Sequence, residues 1–295
     1  MIFLDGVGIG EKDFQNNPFF KYNFRIFNEI FGQVPSLGDQ FLNKNGIYIF
    51  PSDARLGVEG LPQSGTGQTS IFCGVNAAKL IGKHFGPYPY STLIPIIKEK
   101  NIFIELMRRK KKVFFANAYP KIFFDYLKSG RSRLSVTSLS CRLSNLRLNR
   151  VSDVRQAHAL TAEITNERWN SKLGYKLPVI KPETAGKRLL RIASKNNFTL
   201  YEYFLTDHIG HGRYEPDFEK TLNLLDDFLF TVISKLNTEN MSLIICSDHG
   251  NVENLSVKTH TLNPCLTISA GKYGEYFMRK IKDITQIKSA ILDII

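Results

Sequence analysis

Short apolar runs alternate with amphipathic stretches along most of this chain of 295 residues. The runs at 2–4, 47–50, 113–116, 198–206, 242–246 and 265–269 are rich in β-branched and aromatic residues and predict strands. Between them lie helical patterns. The clearest covers 218–236, where Phe218, Leu222, Leu225, Leu229, Val232 and Leu236 recur at three- and four-residue steps and Glu219, Lys220 and Asp226 form the polar face. A second helix is predicted from Pro182-Glu183, since proline suits a first turn, through Leu189, Leu190 and Ile192 to a stop at Lys195-Asn196-Asn197. The last stretch, 284–295, reads as a terminal helix. Strands alternating with helices predict an α/β fold with a mostly parallel central sheet and helices on both faces.

The alternation breaks down between 120 and 178, which is Ser-, Arg- and Asn-rich and holds the single tryptophan, Trp169. This divides the chain into a main domain, 1–119 with 179–295, and a small basic insertion or cap over 120–178. The net charge of +12 has the same bias: from Arg108 to Arg150 there are twelve Lys or Arg against one acid, Asp125. Such a segment suits an anionic phosphorylated substrate, a nucleic acid or a solvated face. No apolar run approaches the ~20 residues of a membrane helix, and no signal peptide is apparent at the start, so a cytoplasmic location is expected. The four cysteines, Cys73, Cys141, Cys246 and Cys265, form no Cys-x-x-Cys pair and are expected to be buried thiols.

Three carboxylates follow apolar runs directly: Asp5, Asp207 and Asp248. Parallel strands end at one sheet edge, where ligands collect. Histidines join them at metal-ligand spacings, with His211 four residues after Asp207, His249 beside Asp248, and His260 eleven later. Two donor sets result, Asp207, His211 and His260 in one, and Asp5, Asp248 and His249 in the other. Mixed imidazole and carboxylate ligands suit two divalent metal ions such as Mn²⁺ or Zn²⁺. A glycine-containing turn at 61–70, with a helix expected to begin near Ile71, offers hydroxyls for a nucleophile. It is not a Walker loop, because no Gly-Lys-Ser or Gly-Lys-Thr follows.

Leu4-Asp5-Gly6, Gln63-Ser64-Gly65-Thr66-Gly67, Asp207 to His211, Asp248-His249-Gly250-Asn251 and Thr259-His260-Thr261-Leu262-Asn263-Pro264 occur in the order seen in the alkaline phosphatase superfamily. The chain resembles the branch of cofactor-independent phosphoglycerate mutase and phosphopentomutase. The resemblance implies that Ser64, ten residues before Gly74 as the family's nucleophile precedes a helical glycine, attacks phosphorus and bridges to the Asp5, Asp248 and His249 metal. It implies that the Asp207, His211 and His260 metal stabilises the leaving oxygen and then activates the hydrolytic water. Gln68, Arg213 and Asn251 are candidate phosphate donors. The chain has no room for the large transferase domain of phosphoglycerate mutase. The expected activity is therefore hydrolysis of a small phosphorylated metabolite through a phosphoserine, with a phosphomutase as one alternative. A basic nucleic-acid-binding protein with a non-catalytic metal site is the other.

Overall fold

The computed structural model describes residues 1–131, 133–213 and 218–295. Seven strands form one sheet: β1 (Ile2–Leu4), β2 (Leu42–Lys44), β3 (Ile47–Ser52), β4 (Val113–Phe115), β5 (Phe198–Tyr203), β6 (Ser242–Ser247) and β7 (Cys265–Gly271). Their order is β2-β3-β7-β6-β1-β5-β4. The pairs β4–β5, β5–β1 and β1–β6 are parallel, whereas β6–β7, β7–β3 and β3–β2 are antiparallel. The sheet is thus half parallel, which corrects the expectation of a mostly parallel one. β2 was not expected either; it closes a hairpin through Asn45-Gly46, both at positive φ, as a two-residue turn requires.

Side-chain alternation along the central strands builds a core on each face. Ile2, Leu4, Tyr201, Tyr203, Leu243 and Ile245 join one cluster, with Leu222 and Leu225 of the Phe218–Ser234 helix and Leu189 of the Pro182–Ala193 helix. Phe3, Leu200, Ile244 and Cys246 point the other way, towards Ile71 and Phe72 of the Ser64–Cys73 helix and Ile287 and Ile291 of the Gln286–Ile294 helix. All four cysteines are buried and unpaired, as expected. Asp226 departs from its expected place on a solvated face: it is buried, and its carboxylate accepts the backbone N–H groups of Arg25 and Ile26.

Apart from Ser132, which lies outside the described residues, the 120–178 segment contains helices at Lys121–Lys128, Val136–Leu143, Val151–Arg155 and Glu167–Leu173. Val136 and Cys141 enter one main core, and Leu160 and Ile164 the other. Val154, Ala159, Trp169 and Leu177 form a third, small cluster with Ala118. The basic residues are not one stripe. Arg108 to Lys112 precede β4 and so lie towards the edge where the parallel strands begin, whereas Lys121 to Arg150 follow its far end. No helix among the described residues is long and apolar enough to cross a membrane.

Candidate metal and nucleophile site

The sheet's topology sends five chain segments to one edge. β1 ends at Asp5, β6 leads into Asp248 and His249, and β5 is followed by the Leu205–Gly210 helix that carries Asp207, with His211 as its cap. β7 runs against β6, so its start lies at the same edge and the loop before it delivers His260. β3 runs against β7 with Ser52 opposite Cys265, so the chain leaves β3 there on its way to Ser64.

The two donor sets anticipated from the sequence each come together. Asp207, His211 and His260 offer ligand atoms within 4.8 Å of one another, and so do Asp5, Asp248 and His249. Asp207 Oδ1 lies 3.2 Å from His211 Nε2 and 3.4 Å from His260 Nε2. In the second set His249 Nε2 is 3.2 Å from Asp5 Oδ1 and 3.6 Å from Asp248 Oδ2. The sets adjoin, for the rings of His249 and His260 stack with centroids 3.7 Å apart. Ser64 Oγ lies 3.0 Å from His249 Nε2 and 3.5 Å from Asp5 Oδ1, at the second set.

The residues fit divalent cations on grounds internal to this structure. Nδ1 of His211 lies 2.8 Å from Lys258 O and Nδ1 of His260 lies 2.7 Å from Pro62 O. A carbonyl only accepts, so each Nδ1 is the donor there and each Nε2 is the ring nitrogen that faces inward. Those two Nε2 atoms are 3.2 Å apart and, with Asp207, near enough to ligate one shared cation. Burial, followed by the Asp248, Asp207 and Glu202 carboxylates, holds the Asp5 carboxyl well above its usual range. Burial also acts to raise Asp207, but His260, His249 and His211 outweigh it and hold that carboxyl well below the usual range. The first effect is that of a buried carboxylate with other carboxylates around it, and a cation between them would relieve it.

Ser64 is the first residue of the Ser64–Cys73 helix, so the helix starts seven residues earlier than expected, and Gly74 is its left-handed cap rather than a helical residue. The loop at 85–88 packs on this helix end: Thr66 N–H donates to Phe85 O at 2.9 Å, which uses one of the free amides. Two of the three expected phosphate donors are engaged elsewhere. The Gln68 amide nitrogen lies 3.4 Å from Asp5 Oδ2 and 3.3 Å from Asp248 Oδ2, and that of Asn251 donates to Asp207 Oδ1 at 2.8 Å. Both side chains are buried, because buried carboxylates draw in the nearest donors. Arg213 stands exposed on the turn after His211. Sequence reasoning missed the supporting shell: Thr206 Oγ1, which donates to Asp5 O; Ser247 Oγ, which accepts Val7 N–H and donates to His249 O; and Glu253. Short polar side chains carry no periodic signal that would mark them as buried.

Residues 157–295 match the family model described as the metalloenzyme superfamily. In structure the chain is similar to a cold-active alkaline phosphatase from a Shewanella species, with 10% identity and a TM-score of 0.55 over 100% of this chain and 99% of that one. The chain has an alkaline phosphatase-like fold. The family match rests on the segment that supplies five of the six donors, and the structural likeness establishes the fold. An alkaline phosphatase from the Antarctic bacterium TAB5 aligns with 15% identity and a TM-score of 0.49 over 99% of this chain and 97% of that one. Phosphoglycerate mutase from Leishmania mexicana aligns with 14% identity and a TM-score of 0.36, over 59% of this chain and 32% of the mutase. No curated protein matches the chain by sequence.

Proposed function

We propose that this protein is a two-metal-dependent phosphohydrolase that cleaves a small phosphorylated metabolite in the cytoplasm through a phosphoserine at Ser64. The observation that carries the reading is the Ser64 hydroxyl 3.0 Å from His249 Nε2 and 3.5 Å from Asp5 Oδ1, beside two adjoining three-donor sets. Asp5, Asp248 and His249 would hold one divalent ion, Mn²⁺ or Zn²⁺, and Asp207, His211 and His260 the other. When bound, such ions supply Lewis acidity that lowers the cost of an alkoxide and of a charged leaving oxygen. Ser64 Oγ forms the new bond to phosphorus while the bond to the leaving oxygen breaks; the serine proton passes to solvent and the departing oxygen takes one up to leave as the alcohol. Water then cleaves the phosphoserine, releasing phosphate and restoring the hydroxyl. Gln68 and Asn251 keep the Asp5, Asp248 and Asp207 carboxylates oriented, which leaves Arg213 as the candidate among the three to contact substrate.

The segment 120–178 has a small apolar cluster of its own around Trp169 and Leu177, and a second reading makes it a cap that retains the dephosphorylated product for retransfer, as in a phosphomutase. Product analysis separates the two: free phosphate for the hydrolase, an isomeric phosphate ester for the mutase. The division of the basic segment between two edges of the sheet counts against a continuous nucleic-acid surface. The test is hydrolysis of an aryl phosphate with Mn²⁺ or Zn²⁺ present. Ser64→Ala is expected to lower kcat by about 10³-fold or more while leaving the protein folded; a variant that keeps wild-type turnover overturns Ser64 as nucleophile.

A further inference from the structure

Three of the loops that carry the donor residues converge on a carboxylate that belongs to neither set. Glu253 is buried, with 1% of its surface exposed. Its Oε2 accepts the backbone N–H of Gly8 at 2.8 Å and of Asn251 at 2.8 Å. Its Oε1 accepts from Thr261 Oγ1 at 2.5 Å and from Asn263 Nδ2 at 3.0 Å. Gly8 lies just beyond Asp5, Asn251 just beyond Asp248 and His249, and Thr261 directly follows His260. The backbone closes in tightly as well: a Cβ at Gly8 would lie 2.7 Å from the Glu253 carboxylate, and one at Gly250 would lie 2.5 Å from Oε1. Direct bonds between the loops, from Thr261 N–H to Gly250 O and from Val252 N–H to Gly6 O, complete the junction.

We propose that Glu253 is a positioning residue that sets the spacing between the two donor sets by tying the loops after Asp5, Asp248-His249 and His260 to one point. The inference rests on the two-metal reading above. Four donors from three segments require four acceptor lone pairs at one place, and among side chains only an ionised carboxylate offers them. Glutamine keeps the shape but offers one oxygen, so either the two backbone amides or the Thr261 and Asn263 pair loses its acceptor. Outer partners of this kind are worth roughly 10–100-fold in metal affinity.

The experiment is calorimetric titration with Mn²⁺ of the wild type, Glu253→Gln, Asn263→Ala and Lys288→Met, at a temperature where circular dichroism shows each to be folded. Lys288 serves as the stability control, since it is buried at the opposite end of the Ser64–Cys73 helix, 3.4 Å from Cys73 O. Glu253→Gln should bind Mn²⁺ about 10–100-fold more weakly, Asn263→Ala should show a smaller loss, and Lys288→Met should bind as the wild type does. Should Glu253→Gln fail to fold, Asn263→Ala carries the test, and wild-type affinity in that variant overturns the proposal. Wild-type affinity in a folded Glu253→Gln, or an equal loss in Lys288→Met, also overturns it. A wild-type protein that binds neither Mn²⁺ nor Zn²⁺ removes the two-metal reading itself, a result distinct from failure of the Glu253 variant alone.

Discussion

A methyl group at Gly65 would lie 2.2 Å from Tyr88 O and 2.7 Å from Phe85 O, and one at Gly67 would lie 2.7 Å from Asp248 O. These glycines therefore do not serve a flexible turn, which is how the sequence pattern reads. They let a helix start press against the 85–88 loop on one side and the Asp248 ligand on the other, with Ser64 held between. The helix was misplaced in the sequence for two reasons: Gly-Thr-Gly has poor intrinsic helix propensity, and all ten residues of Ser64–Cys73 are buried, so no polar face marks a period. The donors were easier to read because Asp5, Asp248 and His249 sit directly after apolar strands. Gly65→Ala should push the helix start away from the loop and move Ser64 by a fraction of an ångström or more. The expected result is a loss of about 10²-fold in kcat/KM with a lowered melting temperature. Steady-state kinetics and thermal unfolding of the variant check it, and wild-type kcat/KM would show that the nucleophile's position does not depend on that contact.

At the scale of elements, legibility followed exposure. The Phe218–Ser234 and Pro182–Ala193 helices each lay one stripe on the sheet, so their periodicity was visible, while the antiparallel half of the sheet was not. An apolar run has the same appearance whichever way its strand points. β2 had a usable signal, Asn45-Gly46 between two candidate strands, but it is only three residues long with two of them exposed. Lys288 is a comparable case in the Gln286–Ile294 helix: a cation in the sequence, it is buried, with Nζ 2.6 Å from Lys100 O and 3.4 Å from Cys73 O. It caps the carbonyl ends of two helices at once, where the helix dipole favours positive charge, and burial lowers its pKa below the usual lysine range. Lys288→Met would free those carbonyls of a donor, and the relief of a desolvated ammonium would offset only part of the loss. Denaturant unfolding should show a destabilisation of about 1–3 kcal/mol; an unchanged midpoint would mean that the two carbonyls find other partners.

Across the whole molecule the donors span nearly the entire chain, from Asp5 in the first strand's end to His260 before the last strand. Only the folded sheet brings them together, because β1, β5 and β6 are neighbours by parallel pairing and β7 by antiparallel pairing. An ion bound at either set therefore has no equivalent site in the unfolded chain, and its binding free energy adds to global stability rather than to one loop. Two consequences follow for thermal unfolding. Mn²⁺ at one hundred times its dissociation constant should stabilise the protein by about 2.7 kcal/mol per site, and the melting temperature should keep rising with the logarithm of metal concentration beyond saturation. Chelation should reverse the gain without changing the cooperativity of the transition, since both sets draw on the same sheet edge. Ser64→Ala should retain most of the shift, because the six donors are intact and only the serine oxygen is lost. Scanning calorimetry of both proteins across a Mn²⁺ series tests this: a melting temperature that ignores the metal would mean that the six donors do not act as cation ligands.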